Sequence, residues 1–268
     1  MINLTAVSYL NTKPLLYGIF SAGMDSELNI RLDIPSVCAE RLRSGQAEIG
    51  LVPVAAIAEI PNAQIISDYC IGAVGAVKTV CLYSNVPIEE IETVILDFHS
   101  RTSVQLVQVL MREYWHKNVQ YQTAYQGFER KVKGTTAAVI IGDRTFGLEK
   151  KYTYIYDLAE VWYEHTRLPF VFAAWVSTRP LPDEFIRRFN AALAAGIAHI
   201  PQLCQLIPPP VNSAFSLEDY FTKYISYTFD ATKKQALKLF LEKISKNVKT
   251  ISNKTSILEN INLPLQAK

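Results

Sequence analysis

Two stretches of equal length, ERLRSGQAEIGLVPV at residues 40–54 and ERKVKGTTAAVIIGD at residues 129–143, decide how this chain folds. Each stretch begins with Glu-Arg, reaches a glycine five residues later and then enters an apolar run. A helix that ends at a glycine before a buried strand produces this pattern. The second stretch lies 89 residues after the first. The sequence therefore predicts two lobes of equivalent topology.

The same offset relates the segments that precede these stretches. VSYLNTKPLLYG at residues 7–18 predicts the end of a strand, a polar pair and then a helix with proline in its first turn. HSRTSVQLVQVL at residues 99–110 repeats a polar start before an amphipathic helix. Strands that alternate with helices in this way are typical of an α/β fold with parallel strands.

The second lobe is followed by one apolar strand, FVFAAWVS at residues 170–177, and by sequence that predicts helices only, including SLEDYFTKYISYTF. We predict crossings between the lobes near Tyr83-Ser84 and near Ala173 to Ser177, so that two connections form a hinge beside a ligand cleft. The predicted divisions are lobe one at residues 1–83 and 177–247, lobe two at residues 84–176, and a tail of uncertain order at residues 248–268.

Composition narrows the functional classes. The chain has 27 basic and 25 acidic residues and a net charge of +2, which lacks the excess of positive charge expected of a nucleic-acid-binding protein. The start MINLTAVSYL has no basic region, and no apolar run is long enough to span a membrane, so we expect a cytoplasmic protein. The four cysteines and four histidines show no metal-ligand spacing, and we expect no metal.

Polar residues mark the point in each lobe where the first strand ends and the first helix begins. The offset of 89 places Asn11 on Ser100 and Thr12 on Arg101. Ligands of open α/β sheets bind beyond the carboxyl ends of the strands, and helix N-termini favour anions there. In lobe two, the donors at this point are a capping serine, a permanent charge and two further hydroxyl groups: Ser100, Arg101, Thr102 and Ser103. The sequence therefore predicts a cleft that holds a small molecule with two anionic groups.

Each of these residues also has an ordinary structural explanation. Asn and Ser are common helix caps, Arg101 alone is typical of a surface residue, and Asp143 would cap the helix after its strand. Large aromatic residues such as Trp162, Trp175 and Phe170 are typical of a hydrophobic core. The agreement between the two lobes favours the cleft.

The motif VSYLNTKPL at residues 7–15 resembles the chorismate dehydratase family, and AEIGLVPV, GAVKTVCLYS, SRTSVQLVQVL, IGD and LPFVFAAW extend the resemblance to about residue 245. The resemblance implies a type II periplasmic-binding-protein fold, with two α/β lobes, a two-strand hinge and a cleft. It also implies a lyase that removes water from chorismate to give 3-[(1-carboxyvinyl)oxy]benzoate, the first step of the futalosine route to menaquinone. The family uses no metal and no organic cofactor.

By the same resemblance, Asn11 would orient the reacting carboxylate or the departing hydroxyl, and Thr79 would be a second catalytic residue where the family usually carries serine. Phe170 would cover the ring of the substrate, and Gly142 and Asp143 would line the wall of lobe two. The substrate-binding residues that the family motifs imply are Tyr9, Thr12, Pro53, Ser100, Arg101, Thr102, Ser103, Gly142, Asp143 and Phe170.

Three other functions share this fold. A solute-binding protein would bind a ligand without changing it, the later cyclase of the same pathway would act on a different substrate, and a regulatory domain would sense a ligand. The expected absence of a signal peptide disfavours the first, the opening SYLNTKP disfavours the second, and the lack of an attached DNA-binding segment disfavours the third. The oligomeric state stays open, with a homodimer as one arrangement.

Overall fold

The computed structural model describes residues 1–248, so that the predicted tail at residues 248–268 lies, apart from its first residue, outside the described part. The described chain forms eleven strands: β1 Ile2–Val7, β2 Leu28–Asp33, β3 Ile49–Pro53, β4 Gln64–Ala73, β5 Val80–Ser84, β6 Thr93–Leu96, β7 Gln120–Thr123, β8 Thr136–Ile141, β9 Tyr154–Asp157, β10 Phe170–Ser177 and β11 Ser226–Thr228.

Eight α-helices accompany these strands within residues 1–248: α1 Lys13–Ser21, α2 Pro35–Arg43, α3 Thr102–Glu113, α4 Leu158–Thr166, α5 Asp183–Ala198, α6 Ile200–Leu206, α7 Leu217–Asp219 and α8 Ala231–Val248. Short 3-10 turns cover Leu10–Thr12, Phe128–Lys131 and Gly142–Thr145, and a π-helical turn covers Tyr220–Tyr224. Helix α3 begins 89 residues after α1, which is the offset that the sequence predicts.

The strands form two mixed sheets with the same internal order. The first sheet runs β2-β1-β3-β10-β4-β11 and the second runs β7-β6-β8-β5-β9. In each sheet three strands are parallel, and the next strand, β10 or β5, is antiparallel to its neighbours. That antiparallel strand is in both cases the first strand after the chain arrives from the other sheet. We call the first sheet with its helices lobe one and the second sheet with its helices lobe two.

The places where the chain crosses between the sheets differ from the prediction. Strand β5 belongs to the second sheet and all of β10 to the first, so the crossings lie in residues 74–79 and 158–169. The predicted divisions at 83/84 and 176/177 therefore fall inside strands. Apolar runs indicate that a strand is buried, but its hydrogen-bonded neighbours decide which sheet contains it.

The expectation that only helices follow the second lobe is wrong at one point. The stretch predicted as a helix, SLEDYFTKYISYTF, contains a single α-turn, the π-helical turn and then β11. Strand β11 pairs antiparallel with β4 and covers the edge of the first sheet. In this strand region Ile225, Tyr227 and Phe229 are buried and alternate with more exposed residues, which is the period of a strand.

Helix α1 is held at a fixed distance from α5 by two glycines. A methyl group at Gly18 would overlap the carbonyl oxygen of Ala192, and one at Gly196 would overlap that of Pro14. Because the backbones approach this closely, neither helix can shift without breaking the packing. The start of α1, where the polar pair of the first motif lies, is thereby fixed relative to lobe one.

Candidate active site

A cavity of about 510 Å³, including the space that opens to solvent, lies where the carboxyl ends of β1, β3 and β8 meet. Both lobes and the linker at residues 74–79 contribute to its wall. Its polar lining consists of Tyr9, Asn11, Thr79, Ser100, Thr102 and Ser103. Its apolar lining consists of Val7, Pro35, Pro53, Ile71, Val77, Val80, Ile141, Gly142, Phe172 and Ala173. No charged side chain of the described residues is among them.

Lobe one presents Asn11 to the cavity from the 3-10 turn that joins β1 to α1. The amide Oδ1 of Asn11 accepts a hydrogen bond from Thr12 Oγ1 at 3.3 Å, and its backbone carbonyl accepts one from the Tyr227 hydroxyl at 2.9 Å. Thr12 itself is fully buried and does not line the cavity. Asn11 is therefore held from behind on both its side chain and its backbone.

Lobe two presents the start of α3. The Ser103 amide donates to Ser100 Oγ at 2.9 Å, which is the capping role that the sequence indicates for Ser100. The hydroxyl of Thr102 donates to the Phe172 carbonyl at 3.0 Å and accepts from the Ala55 amide at 3.3 Å. Because Ala55 and Phe172 belong to lobe one, these two bonds join the lobes at the edge of the cavity.

The structure places Arg101 differently from the expectation. Its guanidinium Nη1 lies 2.8 Å from Glu59 Oε2 of lobe one, and its side chain is 39% exposed. It bridges the lobes on the outside and does not line the cavity. Arg101 directly precedes α3, and the sequence does not show that its side chain points away from the cavity.

Thr79 lines the cavity from the end of the linker and is 1% exposed. Its hydroxyl lies 2.9 Å from the hydroxyl of Tyr220, which is fully buried. Burial raises the pKa of Tyr220, while the hydrogen bond with Thr79 lowers it in part. The phenol therefore stays protonated at neutral pH and bonds to Thr79, one of the two predicted catalytic residues.

Gly142 and Tyr9 bring the two lobes into direct contact. Gly142 has a φ of +68°, and a Cβ there would lie 2.5 Å from Cε2 of the Tyr9 ring. Both the backbone conformation and the ring therefore require glycine at this position. Asp143, which was expected to line the wall, instead accepts the Leu10 amide at 3.1 Å on each carboxylate oxygen. Burial raises the pKa of Asp143, partly offset by this bond.

A histidine that the sequence analysis did not single out supports Tyr9. The Tyr9 hydroxyl lies 2.7 Å from His99 Nδ1, and the planes of the two rings are 8° from parallel. Burial and the nearby Arg144 guanidinium lower the pKa of His99, so that Nδ1 can accept the tyrosine proton. Arg144 in turn pairs with Glu129 and with the fully buried Asp97. The one sequence signal for this cluster was that His99 is the first residue of the HSRTS motif.

Phe170 lies in the core and does not cover the cavity. It is 1% exposed and packs against Trp162, Phe172 and Phe240 at centroid distances of 5.3, 4.7 and 5.0 Å. Phe172 lines the cavity in its place. The pairing of β10 with β4 shifts register between Val171 and Ala173, and this irregularity cannot be read from the apolar run.

Of the twelve residues predicted for the site, eight line one cavity: Tyr9, Asn11, Pro53, Thr79, Ser100, Thr102, Ser103 and Gly142. The other four lie around it: Thr12, Arg101, Asp143 and Phe170. The residues that the sequence missed are the supporting tyrosines of the C-terminal region and His99. The alternation of buried residues around β11 could have indicated that region as a strand.

Within residues 1–248, no three His, Cys, Asp or Glu side chains are grouped so that they could hold a metal ion. The same part of the chain contains no helix of the length and apolarity that a membrane span requires. The four cysteines are unpaired thiols, and three of them are buried.

A family model described as menaquinone biosynthesis matches residues 2–246. A curated relative, chorismate dehydratase of Thermus thermophilus, is 22% identical over 254 residues, which cover 87% of this chain and 92% of the relative. These two matches confirm the family that the motifs indicate.

Solved structures are similar over almost the whole chain. A protein of Archaeoglobus fulgidus has a TM-score of 0.71 at 13% identity, covering 93% of this chain and 98% of its own. The aliphatic sulphonate binding protein of Escherichia coli has a TM-score of 0.63 at 13% identity, with coverages of 97% and 96%. A Candida albicans gene product described as having the generic periplasmic binding protein fold has a TM-score of 0.60 at 16% identity, with coverages of 100% and 98%. These similarities confirm the predicted fold class.

Proposed function

Because the chain belongs to the menaquinone biosynthesis family, we propose that it is a chorismate dehydratase, a lyase that converts chorismate to 3-[(1-carboxyvinyl)oxy]benzoate. In this proposal it catalyses the first step of the futalosine route in the cytoplasm, without metal or cofactor. The family match spans residues 2–246, and the curated relative that carries this activity in its name aligns with 87% of the chain.

The observation that carries the proposal is the convergence of two helix starts on one cavity. Asn11 and Tyr9 lie on one side, and Ser100, Thr102 and Ser103 lie on the other. Chorismate has a carboxylate on its ring and another on its enolpyruvyl arm, so it needs two anion sites. Hydroxyl and amide donors at helix N-termini bind carboxylates without a lysine or arginine. We assign one carboxylate to each helix start.

The reaction needs little acid–base chemistry from the protein. The proton on ring carbon 3 is acidified by the conjugated ring carboxylate, and loss of the neighbouring hydroxyl produces an aromatic ring. Tyr9 is the one lining residue with a titratable side chain among those described, and burial raises its pKa. The wall therefore offers no base at neutral pH, and we propose that the enolpyruvyl carboxylate of the substrate takes the proton.

In this mechanism the electrons of the broken C–H bond form the new ring double bond, and the hydroxyl at carbon 4 leaves with its bonding pair. The departing hydroxide takes up the proton that the enolpyruvyl carboxylate removed, so that water forms and the carboxylate is regenerated. Asn11 would orient the carboxylate over carbon 3, and the Thr79 hydroxyl would donate to the departing oxygen. Holding reactants in such a geometry can contribute about 7–11 kcal/mol to lowering a barrier. The cavity therefore acts mainly by positioning and by excluding water.

A solute-binding function is the second candidate, since two proteins of similar structure are described as sulphonate-binding proteins, one of them bound to MOPS. Such a protein needs the cavity but not the alignment of Asn11 and Thr79. The later cyclase of the same pathway is a further candidate on this fold.

The test is to incubate the purified protein with chorismate and to follow the substituted benzoate by chromatography and ultraviolet absorption. We expect chorismate to disappear and an equal amount of the benzoate to form. The Asn11→Ala variant serves as a control for a contaminating activity. Tight binding of chorismate that leaves it unchanged would overturn the enzyme assignment in favour of a binding protein.

A further inference from the structure

Tyr220 is placed behind the cavity, where its hydroxyl contacts the predicted catalytic residue Thr79 but does not line the cavity itself. The distance from the Tyr220 hydroxyl to Thr79 Oγ1 is 2.9 Å. The ring packs against Phe146, Phe215 and Phe221, each at a centroid distance of 5.7 Å. The side chain is fully buried, so no water replaces Thr79 as the partner of its hydroxyl.

The donor in this hydrogen bond follows from the acidity of the two hydroxyl groups. A phenol is more acidic than an aliphatic hydroxyl and is the better donor, so Tyr220 directs its proton to Thr79 Oγ1. As a consequence, the proton of Thr79 remains available to a ligand in the cavity, because its other acceptor, the Val77 carbonyl, is 3.5 Å away.

The segment that carries Tyr220 is held firmly in place. The buried ammonium group of Lys233 donates to Ser226 Oγ at 2.7 Å and to the Thr228 carbonyl at 2.6 Å, which ties α8 to β11. Strand β11 pairs with β4, and its Tyr227 hydroxyl donates to the Asn11 carbonyl at 2.9 Å. The position of the Tyr220 hydroxyl is therefore set by the sheet of lobe one and not by a mobile loop.

We propose that Tyr220 is a positioning residue that directs the Thr79 hydroxyl proton toward the departing hydroxyl of the substrate. This inference rests on the proposed dehydratase function. Without the phenol, the Thr79 hydroxyl would turn to donate to a protein acceptor such as the Val77 carbonyl. The substrate would still bind, because Tyr220 does not touch it, but the elimination would be slower.

The test compares Tyr220→Phe with Thr79→Val and with the double variant in steady-state assays with chorismate. We expect Tyr220→Phe to lower kcat about 10-fold and to change KM by less than about 2-fold, as for loss of one buried hydrogen bond in the transition state. We expect the double variant to be no slower than Thr79→Val, since Tyr220 acts through Thr79. Calorimetric affinity for the product should be unchanged in Tyr220→Phe.

Tyr152→Phe is the matched control, because it removes another buried phenol hydroxyl, which donates to the Glu129 carbonyl at 3.0 Å away from the cavity. If Tyr220→Phe does not fold, Thr79→Val removes the same hydrogen bond from its other end and should show the same split between kcat and KM. An unchanged kcat in Tyr220→Phe, or losses that multiply in the double variant, would overturn the inference while leaving the dehydratase intact. A wild-type protein that binds chorismate without converting it would overturn the proposed function and this inference with it.

Discussion

The starts of α1 and α3 are equivalent in the backbone and unequal in chemistry. Helix α1 begins at Lys13 and α3 at Thr102, at the sequence offset of 89 that also relates their strands. The first start presents one amide, Asn11, whose side chain accepts a hydrogen bond from Thr12 and whose carbonyl accepts one from Tyr227 of the C-terminal region. The second presents three hydroxyl groups and joins the lobes through Thr102.

This difference indicates a division of labour between the lobes. Asn11 has buried partners behind it, as expected of a group that must point in one direction during a reaction. Ser100 and Ser103 are bonded mainly within their own helix turn, as expected of a site that binds an anion through a cap and free amides. We therefore expect lobe one to control turnover and lobe two to control binding.

The largest effect is expected for Asn11→Ala compared with Ser103→Ala. Loss of the Asn11 amide should lower kcat by about 100-fold with little change in KM, as for removal of one aligned donor from a reacting centre. Ser103→Ala should instead raise KM about 10-fold with kcat nearly unchanged. Steady-state kinetics with chorismate measure both. Asn29→Ala is the control, since Asn29 bonds Asn3 on an exposed strand. A rise in KM for Asn11→Ala equal to its loss in kcat would refute the division.

A somewhat smaller effect is expected for Gly142→Ala, which tests the contact between the lobes. The methyl group would meet the Tyr9 ring, so the lobes should close less completely and KM should rise about 10-fold or more. Gly127→Ala is a matched control, because Gly127 also has a positive φ, of +81°, but a Cβ there meets nothing within 4 Å. Both variants should lose similar stability in thermal melts. Equal KM values for the two would show that the contact does not matter for binding.

The contact of Tyr9 with His99 should give a moderate dependence on pH. Burial lowers the pKa of His99 below its ordinary value, so as the pH falls below about 6.5 the unfolded chain takes up a proton before the folded one does. The free energy of unfolding should therefore be greatest above about pH 6.5 and should decline as the pH falls through the folded-state pKa of His99. The slope of this decline should correspond to the uptake of less than one proton on unfolding. Thermal melts between pH 8 and about 5 measure it.

The His99→Gln variant should reduce the slope of stability against pH. The control variant His116→Asn, at an exposed position, should show the slope of the wild-type protein. Arg144, Glu129 and Asp97 also face the His99 ring. The raised pKa of Asp97 gives a slope of opposite sign, since stability then falls as the pH rises through the carboxyl range. A slope of the same sign and size in His99→Gln would show that His99 does not cause it.

The smallest effect is expected for Arg101→Gln, although the sequence alone would place this residue among the most important. Its guanidinium pairs with the exposed Glu59 outside the cavity, and such pairs contribute about 0–1 kcal/mol. KM should therefore change by less than about 3-fold. The same substitution at the exposed Arg43, which pairs with Glu40, provides the comparison. An increase in KM above about 10-fold would show that Arg101 reaches the substrate when it binds.

The sequence predicted the two repeated strand–helix units better than it predicted the residues that pack around them. The offset of 89 residues placed Asn11 and Ser100 at one cavity because equal topology brings equivalent strand ends to equivalent places. It could not distinguish Phe170 from Phe172, since both lie in one apolar run and a register shift decides which reaches the cavity. It also gave no indication of Tyr220, because a residue 209 positions after Asn11 is brought there by the packing of the C-terminal segment and not by the repeat.

The linker at residues 74–79 has a consequence for the order of events in a catalytic cycle. It carries Thr79 at its end, and the amides of Val77 and Lys78 donate to Asp157 at 2.9 and 2.7 Å, beside the start of the returning connection. A rotation of lobe two about this segment would carry Ser100 and Ser103 away from Asn11, because these serines belong to lobe two and Asn11 belongs to lobe one. An open molecule would thus not catalyse the reaction, and water that enters the open cavity would not contact an activated intermediate. Under the proposed function, binding of the substrate and its conversion would then be separate steps, with one bending motion of the lobes between them.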